Sequence, residues 1–220
     1  MARELRMEQL IKDVLFIGQG LVLTLKLLIG GLSIGLTLGI ILSILQYNKI
    51  ANCIIAKYVS LLRGTPLILQ LSLIYFTAPT IIGIKLDVLT AGIIAFGVNS
   101  SAYIAEILRA GIESIPKGQF EAAKTLEIPQ YAMWKDIILP QVIRNIFPSL
   151  INEVITLLKE TALIGTISGM DIMRLSQILG AEHFTYFRPL CIAAAYYYLL
   201  VVIIEYLGKY IEKGGWYVKN

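Results

Sequence analysis

Two short runs of polar and ionisable residues interrupt otherwise apolar sequence. Asn99, Tyr103 and Glu106 fall on one helix face, with Ser100 and Ser101 beside them. Glu153, Thr156 and Glu160 make a second stripe, flanked by Asn152 and Lys159. An ionisable residue at bilayer depth costs about 2.5–3.5 kcal/mol on insertion scales, so a carboxylate retained there points to a binding role. For the amide and hydroxyls the alternative is bonding between helices. Two carboxylates and one ammonium on the second stripe, with a further carboxylate on the first, favour a cationic ligand. The pattern suits an L-amino acid whose guanidinium or ammonium faces Glu153 and whose α-carboxylate is held by Asn99, Ser100 or Ser101. Glu106 is placed to pair with Arg109, and Glu160 with Lys159.

These residues need helices in lipid to position them. Of 220 residues, 57% are hydrophobic and 15% charged, with a mean hydropathy of +0.74. A soluble domain carries about 25% charged residues and about 45–50% apolar ones, so disorder is excluded and an ordinary cytosolic enzyme disfavoured. The net charge of +4 comes without a dense basic block, which argues against a nucleic-acid partner. His183 stands alone, so no histidine metal site is expected, and Cys53 and Cys191 lie in separate apolar segments as small hydrophobes. No catalytic constellation occurs.

A bilayer core about 30 Å thick needs roughly 20 helical residues. Residues 27–48, 64–84, 88–105 and 189–204 each supply an apolar stretch of that order. Residues 145–168 form a fifth span, since a bundle interior tolerates the ionisable groups that interrupt it. The expected fold is therefore all-α, a polytopic membrane protein with five transmembrane helices in one domain over residues 1–220. Lys49, Lys57, Arg63, Arg109, Lys117, Lys124, Lys135 and Arg144, with Lys209, Lys213 and Lys219, outweigh Arg3, Arg6, Lys12, Lys85, Arg174 and Arg188. Positive loops stay inside, so the N-terminus is placed out and the C-terminus in. Residues 170–179, in an outer loop, have the pattern of a short helix lying at the interface.

The loop at about 113–141 carries a second kind of information. Gln119 to Leu126 reads as a short helix ended by Pro129, Tyr131 to Leu139 as another, and Pro140 as a further break before the next span. Two short helices outside the membrane form either a docking element or an ordinary structured loop. Glu121-Ala122-Ala123, followed by Ile137 and Leu139-Pro140, resembles the EAA loop of binding-protein-dependent ABC importer permeases. Arg63-Gly64-Thr65-Pro66, the run SAYIAEILRAGIESIPKGQFEAA and the later NEVITLLKETAL are similar to the polar amino-acid branch of that family. The family has Gly between the two loop helices where this chain has Glu127. Thr65 is a candidate cap for the second span and Pro66 suits its first position, with Arg63 as a cytoplasmic anchor.

The resemblance implies a type I ABC importer permease in the cytoplasmic membrane of a prokaryote. It implies that Glu121, Ala122, Ala123, Lys124, Leu126 and Glu127 dock on a cytosolic ATP-binding subunit, two copies of which drive alternating access. It further implies a second permease, as a homodimer or as a heterodimer with a related chain, and an external amino-acid-binding protein. No G-x-x-x-x-G-K-[ST] loop occurs, so this chain holds no cofactor, and ATP and magnesium belong to the partner. A membrane channel or helix-bundle scaffold is the alternative, and it has no need of an ATPase dock.

Overall fold

A computed structural model describes residues 2–214, which are helical with no strand among the described residues. Lys219 lies outside them, as do the side chains of Arg3, Arg6 and Lys213. Helices α1 (Ala2–Gly18) and α2 (Leu21–Tyr47) are separated by a two-residue break. A Cβ on Gly20, in that break, would lie 2.3 Å from the Ile172 backbone nitrogen, so glycine allows the break to seat on the start of a later helix. Helices α3 (Asn52–Gly64) and α4 (Leu67–Ile82) follow, and α5 (Val88–Glu113) crosses the bundle centre. Asp87 caps α5, accepting from the Thr90 amide at 3.2 Å and its hydroxyl at 2.5 Å, and these donors hold the Asp87 carboxyl below its ordinary range.

Helix α6 (Lys117–Thr125) and the single turn α7 (Gln130–Ala132) make the loop. Residues Met133–Ile138, wound with wider i→i+5 bonds, connect α7 to α8 (Leu139–Glu160). A tighter 3₁₀ segment (Thr161–Ile167), α9 (Ile172–Glu182) and α10 (Phe187–Gly214) complete the chain.

Three segments are long and apolar enough to cross a membrane: Met7–Tyr47, Val88–Glu113 and Phe187–Glu212. The pair Asn52–Gly64 and Leu67–Ile81, bent by 102°, makes up to four. α8 does not meet that measure, because Glu153, Lys159 and Glu160 depress its hydropathy.

Three expectations are corrected. The helix after the Arg63–Pro66 segment starts at Leu67, and Thr65 does not cap it: its hydroxyl donates back to Leu61 O at 2.8 Å. Proline forces the residue before it into extended backbone, and Thr65 (φ −119°, ψ 144°) thus ends α3 instead of opening α4. Pro140 does not break the chain before α8. It occupies the first turn of that helix, where a missing N–H is tolerated, and the wider winding upstream accommodates its ring. α9 does not lie flat on a surface. Asp171 caps it and is fully buried, Ile172 and Leu179 pack into the bundle against α1 and α10, and Leu175 is buried as well.

The core centres on α2 against α5. Gly31, Gly35 and Gly39 are buried on one face of α2, and Cβ atoms there would meet Phe96, Ser100 and Ile104 at 3.1, 2.9 and 2.7 Å. Small residues at every fourth position let two backbones approach closely, as helix packing in lipid requires.

Candidate functional site

The close α2–α5 approach positions Ser100. Its side chain is fully buried, and its hydroxyl donates to Glu153 Oε1 of α8 at 2.6 Å. Glu153 is only 9% exposed. Its Oε2 makes no hydrogen bond among the described residues, so one carboxylate oxygen remains free for a ligand. Ser100, which flanks the first stripe, is thus the residue that reaches the second.

Asn99 does not belong to that contact. Successive helical residues are rotated by about 100°, so the face holding Asn99, Tyr103 and Glu106 turns away from α8 toward the α3–α4 bend. The Asn99 amide donates to Gln70 Oε1 at 3.1 Å and to Leu62 O at 3.4 Å. Gln70 Nε2 in turn donates to Leu62 O, Thr65 O and Thr65 Oγ1 at 2.9, 3.2 and 2.9 Å. This buried amide pair satisfies the carbonyls freed at the break between α3 and α4. Gln70 was not singled out from the sequence, although a lone amide inside the run LILQLSLI is a legible signal.

The Ser101 hydroxyl donates to Val98 O at 2.7 Å and lies 2.8 Å from the Tyr58 hydroxyl, tying α5 to α3. Tyr103 stacks under the Arg63 guanidinium, 5.5 Å from its centroid. Glu106 meets Arg109 at 2.6 Å, as spacing predicts, and also Arg63 at 3.5 Å. Arg63 is thereby an anchor between α3 and α5.

On α8, Asn152, Thr156 and Lys159 are exposed at the bundle surface and Glu160 is half-buried. With Asn145 and Ser149, also exposed, they continue one polar face along the helix. Such a polar face is unsuited to lipid and suited to a water-filled path or a second subunit.

In the loop, Glu121, Ala122, Lys124, Leu126 and Glu127 are exposed, with Leu126 at 72%, whereas Ala123 is 3% exposed and packs inward. Reciprocal amide bonds between Gln119 and Gln141 (2.9 and 2.6 Å) brace α6 on α8, and Trp134 makes edge contacts with Tyr47 and Phe120. Glu127 N donates to Lys124 O and Ile128 N to Ala123 O, a left-handed helix termination with Glu127 at φ 53°. Glutamate therefore accepts the conformation that glycine adopts freely. Glu127→Gly is expected to stabilise the subunit by about 0.5–1 kcal/mol, read as a raised thermal midpoint; a lowered midpoint contradicts the strain.

Among the described residues no cluster of three His, Cys, Asp or Glu side chains is placed to hold a metal ion.

Residues 35–214 match the family of binding-protein-dependent transport system inner membrane components. The chain is 44% identical over 205 residues to the arginine transport system permease protein ArtQ of Bacillus subtilis, covering 92% of this chain and 94% of that protein. It is 52% identical over 204 residues to a candidate glutamine transport system permease protein, GlnP, of Rickettsia typhi, covering 91% and 93%. The fold superposes on the crystal structure of an amino acid ABC transporter with histidines at a TM-score of 0.85, with 35% identity and coverage of 93% and 96%. An inward-facing MetNI methionine ABC transporter structure, 20% identical with a TM-score of 0.70 over 96% of this chain and 98% of that one, shares the fold.

Proposed function

Since the chain belongs to the family of binding-protein-dependent transport system inner membrane components, we propose that it is the permease subunit of an ATP-driven importer of polar amino acids, with basic ones preferred. The observation that carries the preference is Glu153: a buried carboxylate with one oxygen held by Ser100 and the other free, beside the exposed polar face of α8. In the free oxygen a guanidinium or ammonium finds a fixed counter-charge at low dielectric, and Thr156 and Asn152 offer hydroxyl and amide on the same helix. Asn99, Ser101 and Tyr103 act behind this contact as positioning residues, and Glu160 adds negative charge one helical stretch farther out. Relatives bearing the names of arginine and glutamine permeases support a polar amino acid as cargo.

Movement requires a motor, and this chain contains no phosphate-binding loop. Glu121, Ala122, Lys124, Leu126 and Glu127 offer an exposed face to a cytosolic ATPase, which holds ATP and magnesium. Ala123, turned inward, lets α6 lie close on its own support. Two permease copies with two ATPases, each permease crossing the membrane five times with its N-terminus outside, close around one pathway and alternate its access. An external binding protein delivers the amino acid. Family membership displaces the channel or scaffold alternative.

The test is a substrate panel in proteoliposomes holding permease, ATPase and binding protein. ATP-dependent uptake of arginine or lysine faster than of glutamine is expected. Uptake of glutamine alone overturns the basic preference, and ATP hydrolysis without uptake of any amino acid overturns the importer.

A further inference from the structure

Arg63, Arg109 and Arg188 each meet a carboxylate, at 3.5, 2.6 and 3.1 Å. Arg174 forms no salt bridge among the described residues, and its Nε is buried without a hydrogen-bond partner. It lines a groove of about 420 Å³ with Gln177, Ile178, Ala181 and Tyr186. That lining offers a guanidinium, an amide and a phenol, and no carboxylate. The groove lies at the end of the bundle remote from the coupling loop: α9 follows the 3₁₀ segment that ends α8, and a Cβ on Gly165 of that segment would meet the Arg174 side chain at 3.5 Å.

We propose that this groove is a docking notch for an aspartate or glutamate side chain of the external binding protein, an inference that rests on the importer reading above. A guanidinium that forms no salt bridge among the described residues matches a planar carboxylate, which guanidinium groups bind through parallel hydrogen bonds. Gln177 and the Tyr186 hydroxyl supply further donors at the rim. A free basic amino acid fits poorly, because its side-chain and α-amino cations would meet a cation and no anion. A protein carboxylate brings one negative charge and nothing to repel. The 3₁₀ segment joins the end of α8 to α9, which lines the notch, so a binding protein seated there sits at the end of the helix whose residues are proposed to receive its cargo.

The experiment measures the affinity of the binding protein for the permease–ATPase complex in nanodiscs of neutral lipid, at several salt concentrations. Arg174→Glu is expected to raise Kd at least tenfold and to flatten its salt dependence, while Arg174→Lys keeps most of the affinity. Gln177→Glu, which leaves Arg174 in place and fills the notch with a carboxylate, is expected to raise Kd in the same direction. Melting curves of each complex show that the variants are assembled. An unchanged Kd and salt slope in both charge variants overturns the proposal. A loss that appears only in nanodiscs containing anionic phospholipid, or a change in binding of free arginine without the binding protein, assigns the groove to another ligand and overturns it too. A wild-type complex that binds no binding protein, and so transports nothing, refutes the importer reading itself and leaves the notch with no partner.

Discussion

Glu153→Gln is expected to lower uptake of arginine and lysine by about tenfold to a hundredfold and to change glutamine uptake by no more than about threefold. A hydrogen bond to a charged group contributes about 1.5–3 kcal/mol, and each 1.36 kcal/mol is a factor of ten in rate. The substitution is nearly isosteric, and the new amide oxygen still accepts from Ser100, so the 2.6 Å contact and the packing around it persist. What disappears is the charge on the second oxygen. Selective loss for cationic substrates is therefore the signature of side-chain recognition. Equal losses for arginine and glutamine mean that Glu153 only binds helices together. Ser100→Ala provides the complementary arm. It frees the carboxylate to turn without removing its charge, and its effect on arginine is expected to be smaller than that of Glu153→Gln.

Gly35→Val is expected to destabilise the subunit by about 2–3 kcal/mol and to abolish uptake of every substrate. Overpacking a tight interface costs about 1–3 kcal/mol, and here the clash has little room to relax. A Cβ on Gly35 falls 2.9 Å from both Cβ and Oγ of Ser100, and 3.4 Å from Ile104. The helices must separate, or Ser100 must move, and moving Ser100 withdraws the donor from Glu153. Gly64→Ala is the control. Nothing lies within 4 Å of a Cβ there, and the position is an exposed helix end, so stability should stay level or rise slightly. Thermal midpoints of the two variants decide the matter. A Gly35 variant as stable as the wild type removes the close α2–α5 approach from the account of the site.

The loop shows how far spacing reaches into structure. Glu121-Ala122-Ala123 placed α6 correctly, and the odd Glu127 marked the turn that follows. Pro140 suggested a further break that does not exist. Whether a proline ends a helix or opens one depends on what the preceding residues wind into, and Met133–Ile138 winds wide. Residues 170–179 had the period of a surface helix, yet α9 is drawn into the bundle by a buried aspartate whose partner is the Tyr197 hydroxyl, 26 residues later, at 3.0 Å. No local pattern carries that pairing.

From the sequence alone came the solvent, the helical class, the loop that carries Glu121-Ala122-Ala123 and the polar residues set among apolar ones, because these follow from composition, period and short ordered motifs. Which of those residues meet was decided by tertiary structure. Asn99 and Ser100 are neighbours in the chain, yet a rotation of about 100° per residue sends one to Gln70 at the α3–α4 bend and the other to Glu153 on α8. The depth at which Ser100 sits is fixed by Gly31, Gly35 and Gly39 on a third helix, through how closely two backbones approach. Distances of that kind depend on packing between segments far apart in sequence, and packing is a property of the folded bundle.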